Sequence, residues 1–163
     1  SLEMELELVR NYLRILEYRY GDDFEYSCEV EEEIRQVGIP RMTLQPLVEN
    51  AVYHGIKPKD SGGMILVNAS RLDETMVITV FDNGVGMNEE KLKSLKAGME
   101  QDRIVTGKQG GYAMGNVYMR LKGIYGEKVE MQVDSVQNVY TQVQIIVPFD
   151  VLEGIPYVQI NDS

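Results

Sequence analysis

The run Leu44-Gln45-Pro46-Leu47-Val48-Glu49-Asn50-Ala51-Val52-Tyr53-His54-Gly55-Ile56-Lys57 constrains this chain more than any other, because it lays a polar stripe along one side of an otherwise apolar helix. Leu44, Leu47, Val48, Ala51 and Val52 recur at helical spacing and make a core-facing stripe. Asn50, His54 and Lys57 fall at i, i+4 and i+7, so an amide, an imidazole and an ammonium line a neighbouring face. That trio suits a metal-bound polyphosphate. An Asn oxygen is a hard, uncharged ligand for one position of a magnesium shell, and a lysine neutralises phosphate as a point charge. Glu49, about 100° round the helix from Asn50, is placed to orient or deprotonate a nucleophile. The alternative is an ordinary amphipathic helix with a solvated polar face.

Two further stretches bear on that choice. Met76 to Phe81 is β-rich and ends in Asp82-Asn83-Gly84-Val85-Gly86-Met87. Alternation puts Asp82 on the buried face with Ile78 and Val80, where a carboxylate needs a partner. An adenine amino group is one such partner, with Gly84 and Gly86 allowing the backbone to approach a flat ring. Otherwise Asp82 and Asn83 simply terminate the strand in a turn. Between Lys93 and Gly115 lies a polar segment with five glycines, Gly98, Gly107, Gly110, Gly111 and Gly115, long enough to be a lid. It leads into an apolar helical stripe from Met114 to Tyr125, closed by Gly126. A glycine-rich entry to a helix can hold phosphate by backbone N–H groups, and equally can be a plain surface loop.

Together the three stretches resemble the nucleotide-binding domain of the GHKL superfamily of ATPases, which includes gyrase, a heat-shock chaperone family, histidine kinases and MutL. The helix resembles the N box, Asp82 to Met87 the G1 box, and Gly110 to Leu121 the G2 box behind an ATP lid. The chain looks most like the catalytic domain of bacterial sensor histidine kinases of the LytS/YesM type. Gln45 to Ala51 matches their Gln-Pro-Leu-Val-Glu-Asn-Ala core, and Asn116, Val117, Arg120 and Leu121 match their Asn-Val-x-x-Arg-Leu run. Asn11 to Gly21 resembles their linker helix, so the likeness spans about residues 3 to 149.

The resemblance implies ATP and Mg2+ as ligands. Asn50 would bind the magnesium, Glu49 would assist the chemistry, and His54 and Lys57 would line the phosphate side. Asp82 would accept from the adenine amino group, Gly84, Gly86 and Met87 would shape that pocket, and Thr141 would back it through water. Gly111, Met114 and Gly115 would form the return of the lid. It also implies transfer of the γ-phosphoryl to a histidine on separate dimerisation helices, then to a response regulator. The parent would be a membrane-anchored homodimer and this segment part of its cytoplasmic portion. The single histidine, His54, belongs to the N box, so the phosphoacceptor lies outside this chain.

Two positions depart from the pattern. Ala113 stands where related G2 boxes have a second glycine, and a positive φ there would cost about 1 kcal/mol or more. Tyr140 replaces the glycine that usually precedes the threonine. Neither removes a ligating group, so nucleotide binding is expected to survive; a non-catalytic regulatory module with a decayed lid is the competing function. A gyrase-like clamp is disfavoured because it needs flanking transducer domains.

The net charge of −10 argues against nucleic acid, which demands a basic footprint. The one cysteine, Cys28, cannot form an internal disulfide and reads as a small buried hydrophobe. No apolar run is long enough to span a membrane, no signal-peptide pattern opens the chain, and no P-loop motif is present. The expected architecture is an α+β two-layer sandwich, a mixed, mostly antiparallel sheet covered by helices on one face. Residues 1–21 would be a linker helix with a heptad-like stripe at Leu6, Val9, Leu13, Leu16 and Tyr20. Residues 22–149 would be the catalytic domain and 150–163 an extension. Strands are expected near 23–30, 64–70, 75–82, 129–135 and 140–148, and later helices near 42–57, 88–98 and 114–125.

Overall fold

The computed structural model describes residues 1–100 and 112–153. A five-stranded sheet in the order β1-β2-β3-β5-β4 forms one layer. It comprises β1 (Phe24–Val30), β2 (Gly63–Leu72), β3 (Thr75–Asp82), β4 (Glu130–Val136) and β5 (Tyr140–Pro148). Among the described residues only β1 and β2 run parallel; the remaining pairings are antiparallel. A parallel pair needs a crossover. Here it carries α2 (Leu44–Asn50) and the helical turn that continues it (Ala51–Ile56). The two hairpins turn at Asp73 and Asn138, both at positive φ (51° and 62°), a conformation that Asp and Asn tolerate.

Alternation along β3, β4 and β5 sends every second residue into the core. Over that face pack α1 (Leu2–Tyr20), α2, α3 (Glu89–Glu100) and α4 (Tyr112–Tyr125), and α5 (Phe149–Glu153) closes the described chain. The expected stripe of α1 is buried at Leu6, Val9, Leu13 and Leu16, joined by Leu2, whereas Tyr20 is exposed. Each such leucine contributes about 1.5–3 kcal/mol on burial, so α1 is part of this core.

A contact between elements distant in sequence fixes the start of α2. The buried Glu5 carboxylate of α1 accepts the backbone N–H groups of Met42, Thr43 and Leu44 at 2.9, 3.0 and 3.1 Å. Those are orphan donors of a helix N-terminus, where an anion is favoured. Arg120 of α4 donates to the Met42 carbonyl, and Met42 itself sits at φ 60°. The arginine of the Asn-Val-x-x-Arg-Leu run therefore ties α4 to the entry of α2. Cys28 is half-buried, and burial pushes its thiol up to about 11, in keeping with the role of a small hydrophobe.

Candidate functional site

The Asp82 end of the site is assembled by the sheet. Asp82 is the last residue of β3 and pairs directly with Thr141 of β5, so the two side chains stand next to each other on the inner face. Both are buried. Oδ1 of Asp82 accepts the Gly84 N–H at 2.9 Å, and a carboxylate so engaged keeps lone pairs for another donor. Burial pushes this carboxyl up to about 6, against the opposing pull of the Gly84 N–H and the Lys59 ammonium.

The loop after β3 is clamped from three sides. Gly55 O accepts Val85 N–H at 3.0 Å, and Val85 O accepts Asn138 N–H at 2.7 Å from the β4–β5 turn. Asn83 Oδ1 accepts Met64 N–H at 2.7 Å, and Lys59 donates to Asn83 O at 2.9 Å. Met87 N–H donates to Ser135 Oγ at 2.8 Å; that hydroxyl also donates to Tyr140 O and lies 2.9 Å from Thr141 Oγ1. The glycines are there for space. A Cβ at Gly84 would lie 2.2 Å from the Gly55 backbone, and one at Gly86, where φ is 60°, would lie 2.1 Å from Val136 O. A Cβ at Gly55 would lie 2.3 Å from Asp82 Oδ1. Gly84 and Gly86 thus let the loop pack directly on the Gly55 backbone and on Val136 O, and Gly55 keeps Oδ1 of Asp82 uncovered, so the carboxylate retains an accepting edge that suits a donor on a flat ring.

The other end is built differently. After Asn50 the helix changes from α to π winding over Ala51–Ile56, closed by Lys57 N–H to Val52 O at 2.8 Å. The continuous α-helical stripe of Asn50, His54 and Lys57 is therefore corrected: a wider turn separates the first residue from the last two. The extra residue lets Gly55 meet Asp82 and Val85. Asn50 and Glu49 are half-buried, whereas His54 and Lys57 are exposed. Gln45 Nε2 donates to the Glu49 carboxylate at 3.0 Å and orients it. Burial and the Lys91 ammonium hold His54 below its ordinary pKa. The Lys57 ammonium lies 4.5 Å from the Tyr53 ring centre.

Gly111 and the segment 101–111 lie outside the described residues. α3 runs on to Glu100 and α4 begins at Tyr112, so both helices take up part of the expected loop. Met114 is buried in the core, and a Cβ at Gly115 would meet nothing within 4 Å. Ala113 lies in the first turn of α4 and is not among the residues of positive φ, so the strain considered for it does not arise in this conformation. The Tyr140 ring stacks on Phe81 with centroids 5.8 Å apart, and its hydroxyl donates to Asp134. Because adjacent strand residues point to opposite faces, this ring lies on the side of the sheet away from Thr141.

Reasoning from sequence missed Gly55, Lys59 and Ser135. Of these, only Ser135 carries a local signal, its place on the inward alternation of β4. A separate cavity of about 530 Å³ lies between α3, α4 and the β4–β5 pair, lined in part by Lys96, Tyr118 and Gln142, and none of the expected site residues lines it. Among the described residues no cluster of three or more His, Cys, Asp or Glu is arranged to hold a metal, and no helix is long and apolar enough to cross a membrane.

Residues 38–151 match the family model described as histidine kinase-, DNA gyrase B-, and HSP90-like ATPase. The sensor protein LytS of Oceanobacillus iheyensis is 33% identical over 149 residues, 91% of this chain and 25% of its own length. The sensor histidine kinase YesM of Bacillus subtilis is 28% identical over 148 residues, 91% of this chain and 24% of its own. The chain thus spans about a quarter of these relatives. In fold it is similar to the histidine kinase domain of the Erythrobacter litoralis EL346 blue-light activated kinase, with a TM-score of 0.61 at 17% identity, covering 91% of this chain and 65% of that one.

Proposed function

From a chain that belongs to the histidine kinase-, DNA gyrase B- and HSP90-like ATPase family, we propose the ATP-binding catalytic domain of a sensor histidine kinase, which passes the γ-phosphoryl of Mg-ATP to a histidine on separate helices. One observation carries the reading above all: Asp82 and Thr141 are cross-strand neighbours on the buried face, and Gly55 leaves the Asp82 carboxylate uncovered by a side chain. The Asp82 carboxylate accepts from the adenine amino group. Gly84, Gly86 and Met87 bound the ring plane, and the Ser135–Thr141 hydroxyl pair holds the back of the pocket.

Asn50 offers its amide oxygen to magnesium, Lys57 offsets charge on the phosphate side, and His54 lines that side as a neutral imidazole able to donate a hydrogen bond. Magnesium, when bound, neutralises charge on the transferring phosphoryl. Glu49, oriented by Gln45, is the group placed to take the proton from the acceptor imidazole. Gly111, Met114 and Gly115 belong to the return of the lid over the phosphates. Residues 1–21 connect the domain to histidine-bearing dimerisation helices, residues 150–163 extend it beyond the family core, and the parent is a membrane-anchored homodimer whose cytoplasmic portion includes this segment. A response-regulator aspartate receives the phosphoryl group last.

Incubating the chain with Mg-ATP and a protein carrying the family's histidine helices tests this. Acid-labile phosphate on that protein, lost with Asn50→Ala, is the expected result. Nucleotide bound without any transfer would make the domain a regulatory binding module instead.

A further inference from the structure

Helix α1 carries a second apolar stripe that the domain leaves uncovered. Met4, Leu8, Ile15 and Tyr18 are exposed at 59%, 53%, 67% and 94%. With the exposed Asn11 they follow the alternating four-and-three spacing of a coiled-coil seam. The buried stripe of the same helix is displaced by two residues, about 200° of rotation, so the two lie on opposite faces. A helix apolar on both faces is a helix covered on both. Isolated apolar surface residues are commonplace, but a register kept along the whole helix is not.

We propose that this face docks antiparallel against α1 of a second copy of the chain. Charge selects both partner and direction. Glu7 and Arg14 flank the seam on one side, and both are exposed. Run antiparallel, Met4 packs on the second copy's Ile15 and Leu8 on its Asn11, each contact occurring twice about the two-fold axis. In that register Glu7 of each copy faces Arg14 of the other. Sliding by one heptad sets Arg14 against itself, and a parallel pair sets Arg14 beside Arg19 with no opposite charges matched. Asn11 in the central layers fixes the register at a cost in stability. A seam of fewer than three heptads belongs with the small interfaces, below about 1,200 Å² in total, and with weak association. Nothing here depends on nucleotide binding.

Sedimentation of the intact chain across the micromolar range tests the proposal. A reversible dimer is expected, weakened about tenfold or more by Leu8→Glu or Ile15→Glu with the thermal unfolding of the domain unchanged. Glu7→Arg and Arg14→Glu each weaken it, and the double variant Glu7→Arg/Arg14→Glu restores it. A monomer at every concentration, a dimer indifferent to Leu8→Glu, or a dimer strengthened by Arg14→Glu alone, the signature of a parallel seam, would each overturn it.

Discussion

The two ends of the site differ in how they are held. At the Asp82 end, two hairpin strands, the end of the π turn and the β4–β5 turn all hydrogen-bond to one loop, and the carboxylate and threonine are buried. At the Asn50 end, His54 and Lys57 stand exposed on a single turn of helix. On the proposed function, the base-recognition end is preorganised by the sheet before any ligand arrives, which lowers the ordering cost of binding. Exposed side chains such as the Lys57 ammonium can follow phosphates through different geometries. The difference predicts that changes at the first end alter stability and binding together, whereas changes at the second alter binding alone.

The largest effect is expected for Gly84→Ala, whose Cβ meets backbone that cannot swing away. Overpacking of this kind costs about 3 kcal/mol. Denaturant unfolding should show that loss, accompanied by loss of nucleotide affinity. Asp82→Asn should separate the two properties. The carboxyl is raised from 3.8 to about 6, so Asp82 supports folding most below pH about 4, and that support is lost as pH rises through about 6. At neutral pH its ionised form is a burden of about 3 kcal/mol at most, at 1.36 kcal/mol per unit. The Asn variant should melt higher than the wild type at pH 7.5, lose that advantage at pH 4, and bind adenine nucleotides about ten to a hundredfold more weakly. Wild-type affinity should fall as pH drops below about 6, and the variant's should not.

Ser135→Ala should cost about 1–2 kcal/mol, since it leaves Met87 N–H and the Thr141 hydroxyl short of a partner. Thermal unfolding measures it, and the affinity for adenosine diphosphate should fall with it. Asn50→Ala, at the less constrained end, should stay within about 0.5 kcal/mol of wild-type stability while removing most of the magnesium dependence of nucleotide binding. Gly115→Ala should act in the opposite sense and stabilise the domain by about 0.5–1 kcal/mol, because its Cβ meets nothing and α4 gains a better helix former. An unchanged melting temperature would place that residue outside an α-helical turn in solution.

The sheet was legible because its cause is local. Alternation along Thr75–Asp82 placed Asp82 inward, and the short gaps between the expected strands, 71–74 and 136–139, fell where Asp73 and Asn138 turn both hairpins. Thr141 entered through the family resemblance, and the register of the structure sets it opposite Asp82. What was illegible depends on partners far apart in sequence. Glu5 caps a helix 38 or 39 residues away, and Lys59 reaches the loop after the next hairpin. Neither has a periodic signature. The π turn was hidden for a different reason. Each of its hydrogen bonds is displaced by one residue from the α pattern, and apolar spacing over six residues does not resolve that difference.

On the proposed function, Asp82 reads the exocyclic amino group of adenine while Asn50 serves the phosphates. Calorimetry of ATP against inosine triphosphate, which carries a carbonyl where ATP carries that amino group, tests it most directly. The wild type should prefer ATP by about tenfold or more, Asp82→Asn should erase the preference, and Asn50→Ala should weaken both ligands alike. Equal affinity of the wild type for the two nucleotides would contradict it.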